Sequence, residues 1–212
     1  LSPKQSAFLR LVSRKTWAFF ETFVGPDNHW LPPDNFQEDL ATTLAHRTSP
    51  TNMGLALLAN LSAYDFGYLS AGQLIERTRN AFATMHALQR YRGHFYNWYD
   101  TQSLQPLLPM YVSTVDSGNL AGHLLTLRPG LAMLADQPIL AARWLDGLED
   151  TFRALLSSGP QTASDALLRF QQDLESALAN RPSTLAASRR ILERMAAHAA
   201  QVVRDLGGMT ES

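Results

Sequence analysis

Between Gly93 and Asn119 the sequence reads GHFYNWYDTQSLQPLLPMYVSTVDSGN, the one long stretch in which residues able to do chemistry crowd together. Five aromatics, Phe95, Tyr96, Trp98, Tyr99 and Tyr111, lie there among side chains that hydrogen-bond directionally. Aromatic rings stack on the C–H faces of a sugar while Asn, Asp and Thr satisfy its hydroxyls, so the stretch reads as a sugar-contacting segment. Successive side chains of an extended segment point to opposite sides. Tyr96 and Trp98 are therefore assigned as the stacking platforms, with Asn97 between them able to bond a hydroxyl or to satisfy loop backbone.

Breaking or transferring a glycosidic bond takes two carboxyl groups, ~5 to ~9.5 Å apart according to stereochemistry. Glu21, Glu76, Glu149, Glu175 and Glu193 fall among charged neighbours on helical stretches, where solvation accounts for them, and Glu211 sits near the end of the chain. The carboxylates of interest are Asp100, Asp116 and the pair Asp34 and Asp39. Asp100 ends the aromatic block and is the candidate catalytic or hydroxyl-binding carboxylate; an Asx-turn closing the loop is its alternative. Asp116 precedes a helix that it can cap, at an end where a cleft would open. Arg47 can orient a carboxylate or a pair of hydroxyls, or form an internal ion pair with Asp100 or Asp116. His46, His94 and His123 show no metal-binding spacing and read as structural or hydrogen-bonding residues, so no metal or other cofactor is expected.

The elements that must hold these residues are helical. Ser2-Pro3-Lys4-Gln5 starts a helix to about Phe23, and Gly25-Pro26 stops it. Residues 25–48 form an irregular connection long enough to be functional. Ser49-Pro50 opens a second helix to about Tyr64 that is apolar all round and must be enclosed by protein. Ser70-Ala71-Gly72-Gln73 opens an amphipathic third. After the aromatic loop, Asp116 or Ser117 caps another all-round apolar helix, Leu120 to Leu127, disturbed at Arg128-Pro129-Gly130; an amphipathic one follows from Ile139 to Leu156. Buried and amphipathic helices thus alternate, as in part of a double-layered helical ring. Thr162-Ala163-Ser164-Asp165 and Thr184 then start two helices that form an antiparallel hairpin.

Lys and Arg number 18 against 19 Asp and Glu, with no basic run, so nucleic acid is not an expected partner. There is no cysteine, which excludes thiolate chemistry and disulfides. No apolar run approaches the ~20 residues that span a bilayer. The chain opens at Leu1 almost directly into its first helix and is expected to be a piece of a longer protein.

Three blocks, His46-Arg47-Thr48-Ser49-Pro50-Thr51-Asn52, Arg92 to Thr101, and Tyr111 to Gly122, resemble in order and spacing the central, glycoamylase-like region of cyclic β-1,2-glucan synthases. The resemblance covers roughly Trp30 to Leu127. It implies an all-α fold: the leading part of an alpha/alpha-six barrel in residues 1–135, then a helical segment with the hairpin in 136–212. It further implies a membrane-bound, multidomain parent, a glycosyltransferase and transglycosylase that polymerises glucose from UDP-glucose, cyclises the chain and trims it. The central region would bind β-1,2-linked glucan for the cyclising transglycosylation at the cytoplasmic face of the inner membrane, alongside the remaining domains of the parent. Arg47, Tyr96, Asn97, Trp98 and Asp116 become substrate-binding candidates. The Glu-containing blocks that follow in the family are absent here, so the segment alone is expected to be inactive. A non-catalytic helical module that binds glucan or braces neighbouring domains is the competing reading.

Overall fold

The computed structural model describes residues 1–38, 43–138, 140–158 and 164–209, with side chains to residue 205. Asp39, Ile139 and the Thr162-Ala163 start signal lie outside the described residues. The chain divides into two compact units: Lys15–Asp65 with Leu69–Ile139, and Leu1–Arg14 with Phe66–Tyr68 and Leu140–Ser212. Helix α1, Pro3–Phe23, contributes to both.

In the first unit α2 runs from Pro50 to Phe66, α3 from Ala71 to Ala87 and α4 from Thr114 to Ala132. The Ser49 hydroxyl accepts the Asn52 N–H and Pro50 opens α2 at a position that lacks an N–H partner anyway. α2 buries Met53, Ala56, Leu57, Asn60, Ala63 and Tyr64, as a helix without a polar face must. Ser70 and Gln73 form both arms of the capping box that opens α3, which buries a single stripe of Leu74, Thr78, Ala81 and Met85.

α4 starts earlier than its acidic residues suggest. Its cap is Ser113, whose hydroxyl accepts the Asp116 N–H at 3.1 Å. Asp116 is thus the third helical residue and its carboxylate is released for other partners. The far end also differs from expectation, because α4 continues through Pro129 to Ala132. A proline in that place forfeits one backbone bond and bends a helix without having to end it.

α2 and α4 run parallel and close together. Thr51 hydrogen-bonds Asp116 and Asn119 at one end, Gly54 lies under the His123 ring, and Gly130 lies under Leu61 at the other. Any Cβ on Gly54 would collide with His123, and one on Gly130 with Leu61. α3 comes back the opposite way, with Arg77 donating to Asn60 of α2. Two parallel buried-type helices joined through an antiparallel amphipathic one make the repeating unit of an α/α barrel, so the all-α, partial-barrel reading holds. The core gathers Leu31, Met53, Leu57, Ala81, Met85, Leu88, Tyr99, Leu120 and Leu127. Much of α4 stays open: Val115 and Leu125 are about 70% exposed.

The connections are not irregular throughout. β1 (Phe36–Gln37) pairs with β2 (Thr43–Leu44), β3 (Arg47–Thr48) with β6 (Tyr99–Asp100), and β4 (Arg90–Tyr91) with β5 (His94–Phe95), all antiparallel. Arg92 and Gly93 both have positive φ, the backbone a two-residue hairpin turn requires. The β3–β6 pair matters most, since its register sets Arg47 opposite Asp100 and Thr48 opposite Tyr99. It stitches the two long loops together.

The second unit holds α5 (Arg143–Ser158), α6 (Asp165–Ala179) and α7 (Leu185–Met209). Ser164 caps α6 through the Leu167 N–H, and α6 packs on α7 as the expected hairpin, around Leu174, Ala177 and Met195. Asp150 of α5 is buried between Arg10 and Tyr68: it accepts from Arg10 Nε at 3.0 Å and from the Tyr68 hydroxyl at 3.0 Å. Burial, with the Asp150 charge behind it, pushes the Tyr68 hydroxyl far above its ordinary pKa.

Candidate functional site

The β3–β6 stitch places the polar residues of both loops at the end of the unit where α2 and α4 begin. Asp34 is its hub. Its N–H donates to the Ala45 carbonyl, which anchors the turn after Pro32-Pro33, and its carboxylate faces Arg47 and α2. Oδ2 accepts from Arg47 Nε at 3.2 Å and Nη2 at 2.9 Å, while Oδ1 accepts from Asn52 Nδ2 at 3.1 Å. The Arg47 guanidinium in turn lies 4.8 Å from the centre of the Trp98 ring. Half of the Arg47 side chain is exposed, so this pair adds at most about 1 kcal/mol to stability. Its consequence is orientation: an exposed donor fork is held over a half-buried indole ring.

One residue along α2, Thr51 donates to Asp116 Oδ1 at 2.6 Å and accepts from Asn119 Nδ2 at 3.1 Å. The first turns of both inner helices therefore carry a continuous row of hydrogen-bonding groups, Asn52, Thr51, Asp116 and Asn119, beside the Asp34–Arg47–Trp98 stack. A row of fixed donors and acceptors flanked by an aromatic plate can bind a polyhydroxylated ligand.

The candidate residues divide. Arg47, Trp98 and Asp116 belong to this surface, but the ion pair of Arg47 is with Asp34, not with Asp100 or Asp116. Asp100 takes the turn role: its Oδ1 accepts the N–H groups of Gln102 and Ser103 and the Ser103 hydroxyl. Those bonds, the Ser103 N–H first, hold its carboxyl below the usual carboxylate range. A carboxyl so held is a poor proton donor, which argues against a general-acid role. The Tyr96 ring lies against Tyr99, 6.4 Å between centres, and against the hydrophobic core, and its N–H donates to the Tyr99 hydroxyl. Asn97 is buried, donates its N–H to the Tyr111 carbonyl, and keeps Oδ1 unpaired among the described residues.

Trp98 and Tyr99 part in their partners: Trp98 is half-buried beside Arg47, and Tyr99 enters the core. Tyr99 is fully buried, its hydroxyl donating to the Gln89 carbonyl, and is the pin on which the aromatic block hangs. Sequence reasoning missed the leading place of Asp34, which stood there only as half of a pair, and of Asn52, Thr51 and Asn119, which lie inside the motif blocks but read as helix starts.

No family model matches the chain. Over 143 residues, 67% of the chain, it is 46% identical to the cyclic beta-(1,2)-glucan synthase NdvB of Rhizobium meliloti strain 1021. The resemblance to the cyclic β-1,2-glucan synthases stands. The chain spans about 5% of that protein's length. A glucoamylase-like protein of known structure from Bacteroides fragilis aligns with 60% of the chain and 35% of its own, at 17% identity and a TM-score of 0.49. The barrel assignment depends on the parallel α2 and α4 geometry. No helix among the described residues is long and apolar enough to cross a membrane.

Proposed function

We propose that this segment belongs to the glycosidase-like domain of a cyclic β-1,2-glucan synthase and forms one wall of its glucan-binding cleft. The observation that carries the reading is the Asp34–Arg47–Trp98 stack, which presents a pre-oriented guanidinium and an indole face at the mouth of two parallel inner helices. A glucosyl ring would pack against the Arg47–Trp98 stack, with hydroxyls bonded by Arg47, Asn52, Asp116 and Asn119. Pre-organisation of this kind lowers the entropy lost on binding. Tyr96 and Asn97 support the wall from behind, and Asp100 keeps the Trp98–Ser103 turn in shape.

In this reading the chain supplies binding and positioning for the cyclising transglycosylation, the acid and nucleophile come from elsewhere in the parent, and the parent sits at the cytoplasmic face of the inner membrane. The exposed apolar residues Val115 and Leu125 of α4 and Met133 just after it favour an additional bracing contact with other parts of the parent. The test is a titration of linear β-1,2-glucans against the 212-residue chain, followed by tryptophan fluorescence. Saturable quenching whose amplitude falls in Trp98→Ala by the contribution of that indole is the expected result. No response at millimolar oligosaccharide would sink the proposal.

A further inference from the structure

A cavity of about 790 Å³ opens in the first unit between the end of α1 and the middle of α3. Glu21, Phe23, Trp30, His46, Arg77 and Gln102 line it; Asp34, Arg47 and Trp98 do not. Its volume falls within the range of small-ligand pockets, roughly 300–1,000 Å³.

The walls are held rigidly. Arg77 donates Nε to Asn60 Oδ1 and Nη2 to the carbonyls of Phe20 and Val24, and its guanidinium lies 5.1 Å from the Trp17 ring and 5.6 Å from the Trp30 ring. Its donors thus close the carboxyl end of α1, and Glu21 lies near enough to act on its charge. This is a fixed wall with its charge already answered, unlike a trap for an anion. Trp30 and its neighbour His29 both sit in the left-handed region, at φ 64 and 52, a strained backbone held in place by the Thr84 hydroxyl, which donates to the His29 carbonyl, and by His29 Nδ1, which donates to the Thr101 carbonyl.

The protonation of His46 can be read from its partner. Asn28 Nδ2 donates to the Phe23 carbonyl, which fixes the amide so that Oδ1 is the acceptor of both the Thr101 hydroxyl and His46 Nδ1. His46 therefore carries its proton on Nδ1 when neutral, and Nε2 is left as an acceptor on a residue that lines the cavity. An aromatic face, an imidazole acceptor, an amide and the exposed carboxylates of Glu21 and Asp27 beside a single, already bonded guanidinium disfavour an anion and suit an uncharged ligand rich in hydroxyls.

We infer that this cavity is a second saccharide-binding position, separate from the Asp34–Arg47–Trp98 wall, and that it takes an uncharged pyranose unit of the same glucan. The inference rests on the glucan reading above. The experiment titrates linear β-1,2-gluco-oligosaccharides into the 212-residue chain and follows the indole N–H signals of Trp30 and Trp98 and the ring signals of His46 by NMR.

The Trp30 and His46 signals should move and saturate in Trp98→Ala as well as in the parent chain. Gln102→Ala and Glu21→Ala, both at exposed positions, should each weaken that response about five- to tenfold, the worth of one or two hydrogen bonds; circular dichroism checks that the variants fold. Movement of Trp98 without Trp30 and His46 overturns the second position and leaves the first wall standing. Loss of all shifts in Trp98→Ala also overturns it, since one site would then account for both. Movement of Trp30 and His46 with Trp98 silent supports the cavity and sinks the first wall, and silence everywhere overturns both. Equal shifts with inorganic phosphate overturn the assignment of a neutral ligand.

Discussion

Two arginine–aspartate pairs in this protein use the same chemistry for different ends. Arg10 and Asp150 meet with the aspartate side chain 2% exposed and the Tyr68 hydroxyl bonded to the same carboxylate. Arg47 and Asp34 meet with side chains 50% and 20% exposed, and the free face of the guanidinium rests on Trp98. Buried charge is costly unless every partner is present, so the first pair is a structural lock whose loss the fold would feel. The second is screened by water, contributes little to stability, and leaves half of the arginine side chain exposed. Burial separates a residue pair that holds a fold from one that can hold a ligand.

The largest expected effect is on the lock. Asp150→Ala should cost about 3 kcal/mol, because Arg10 and Tyr68 both lose the group that satisfies them, and should lower the thermal unfolding midpoint by several degrees. A melt unchanged from the parent would erase the contrast. Next is Tyr99→Phe, which keeps the ring but removes the hydroxyl that accepts from Tyr96 and donates to Gln89; about 1–3 kcal/mol should be lost in chemical denaturation. Asp34→Asn should do the reverse of Asp150→Ala: stability within about 1 kcal/mol of the parent, with glucan affinity down about tenfold as Arg47 loses its orientation. Equal affinity in that variant would show that Arg47 needs no such partner.

The smallest effect is a pH dependence. The folded pKa of Asp100 lies below its unfolded value, so the stability it contributes is present above the unfolded pKa of about 3.9 and is lost as pH falls through the lower folded pKa. Asp100→Asn should therefore flatten the acid limb of a stability–pH profile below about pH 4 and lower the stability at neutral pH by the amount that this limb spans in the parent. A variant as acid-sensitive as the parent would remove the turn role from Asp100.

Much of the scaffold is legible in the sequence. Ser2, Ser49 and Ser70 each announce a helix start because a hydroxyl capping backbone N–H groups is a local event, and all three act as read. Ser113 was overlooked because Asp116 and Ser117 advertise equally good caps within one turn, and only the chain's approach from Tyr111 selects among them. The short strands left no trace, since two residues are too few to show a period of two. For Arg47 the sequence offers two roles, orienting a ligand or pairing with Asp100 or Asp116, and the ion pair that forms is with Asp34. The opposite number of Arg47 in the β3–β6 register is Asp100, yet facing backbones do not decide where two side chains turn, and Asp34 reaches the guanidinium from another loop.

The sequence by itself determined that the chain is helical, where most helices begin, which helices are apolar all round, and that Gly93–Asn119 and the Arg47 block carry the family resemblance. These follow from interactions between residues a turn or two apart. Tertiary structure alone decided which aromatic became core and which became surface: Tyr99 is pinned beneath Gln89 and Tyr96, while Trp98 turns out to meet Arg47. It also decided that Asp34 joins them and that Thr51 meets Asp116, contacts spanning 13 and 65 residues. Long-range pairs of this kind depend on how the helices pack, and the parallel approach of α2 and α4 over Gly54 and Gly130 brings them about.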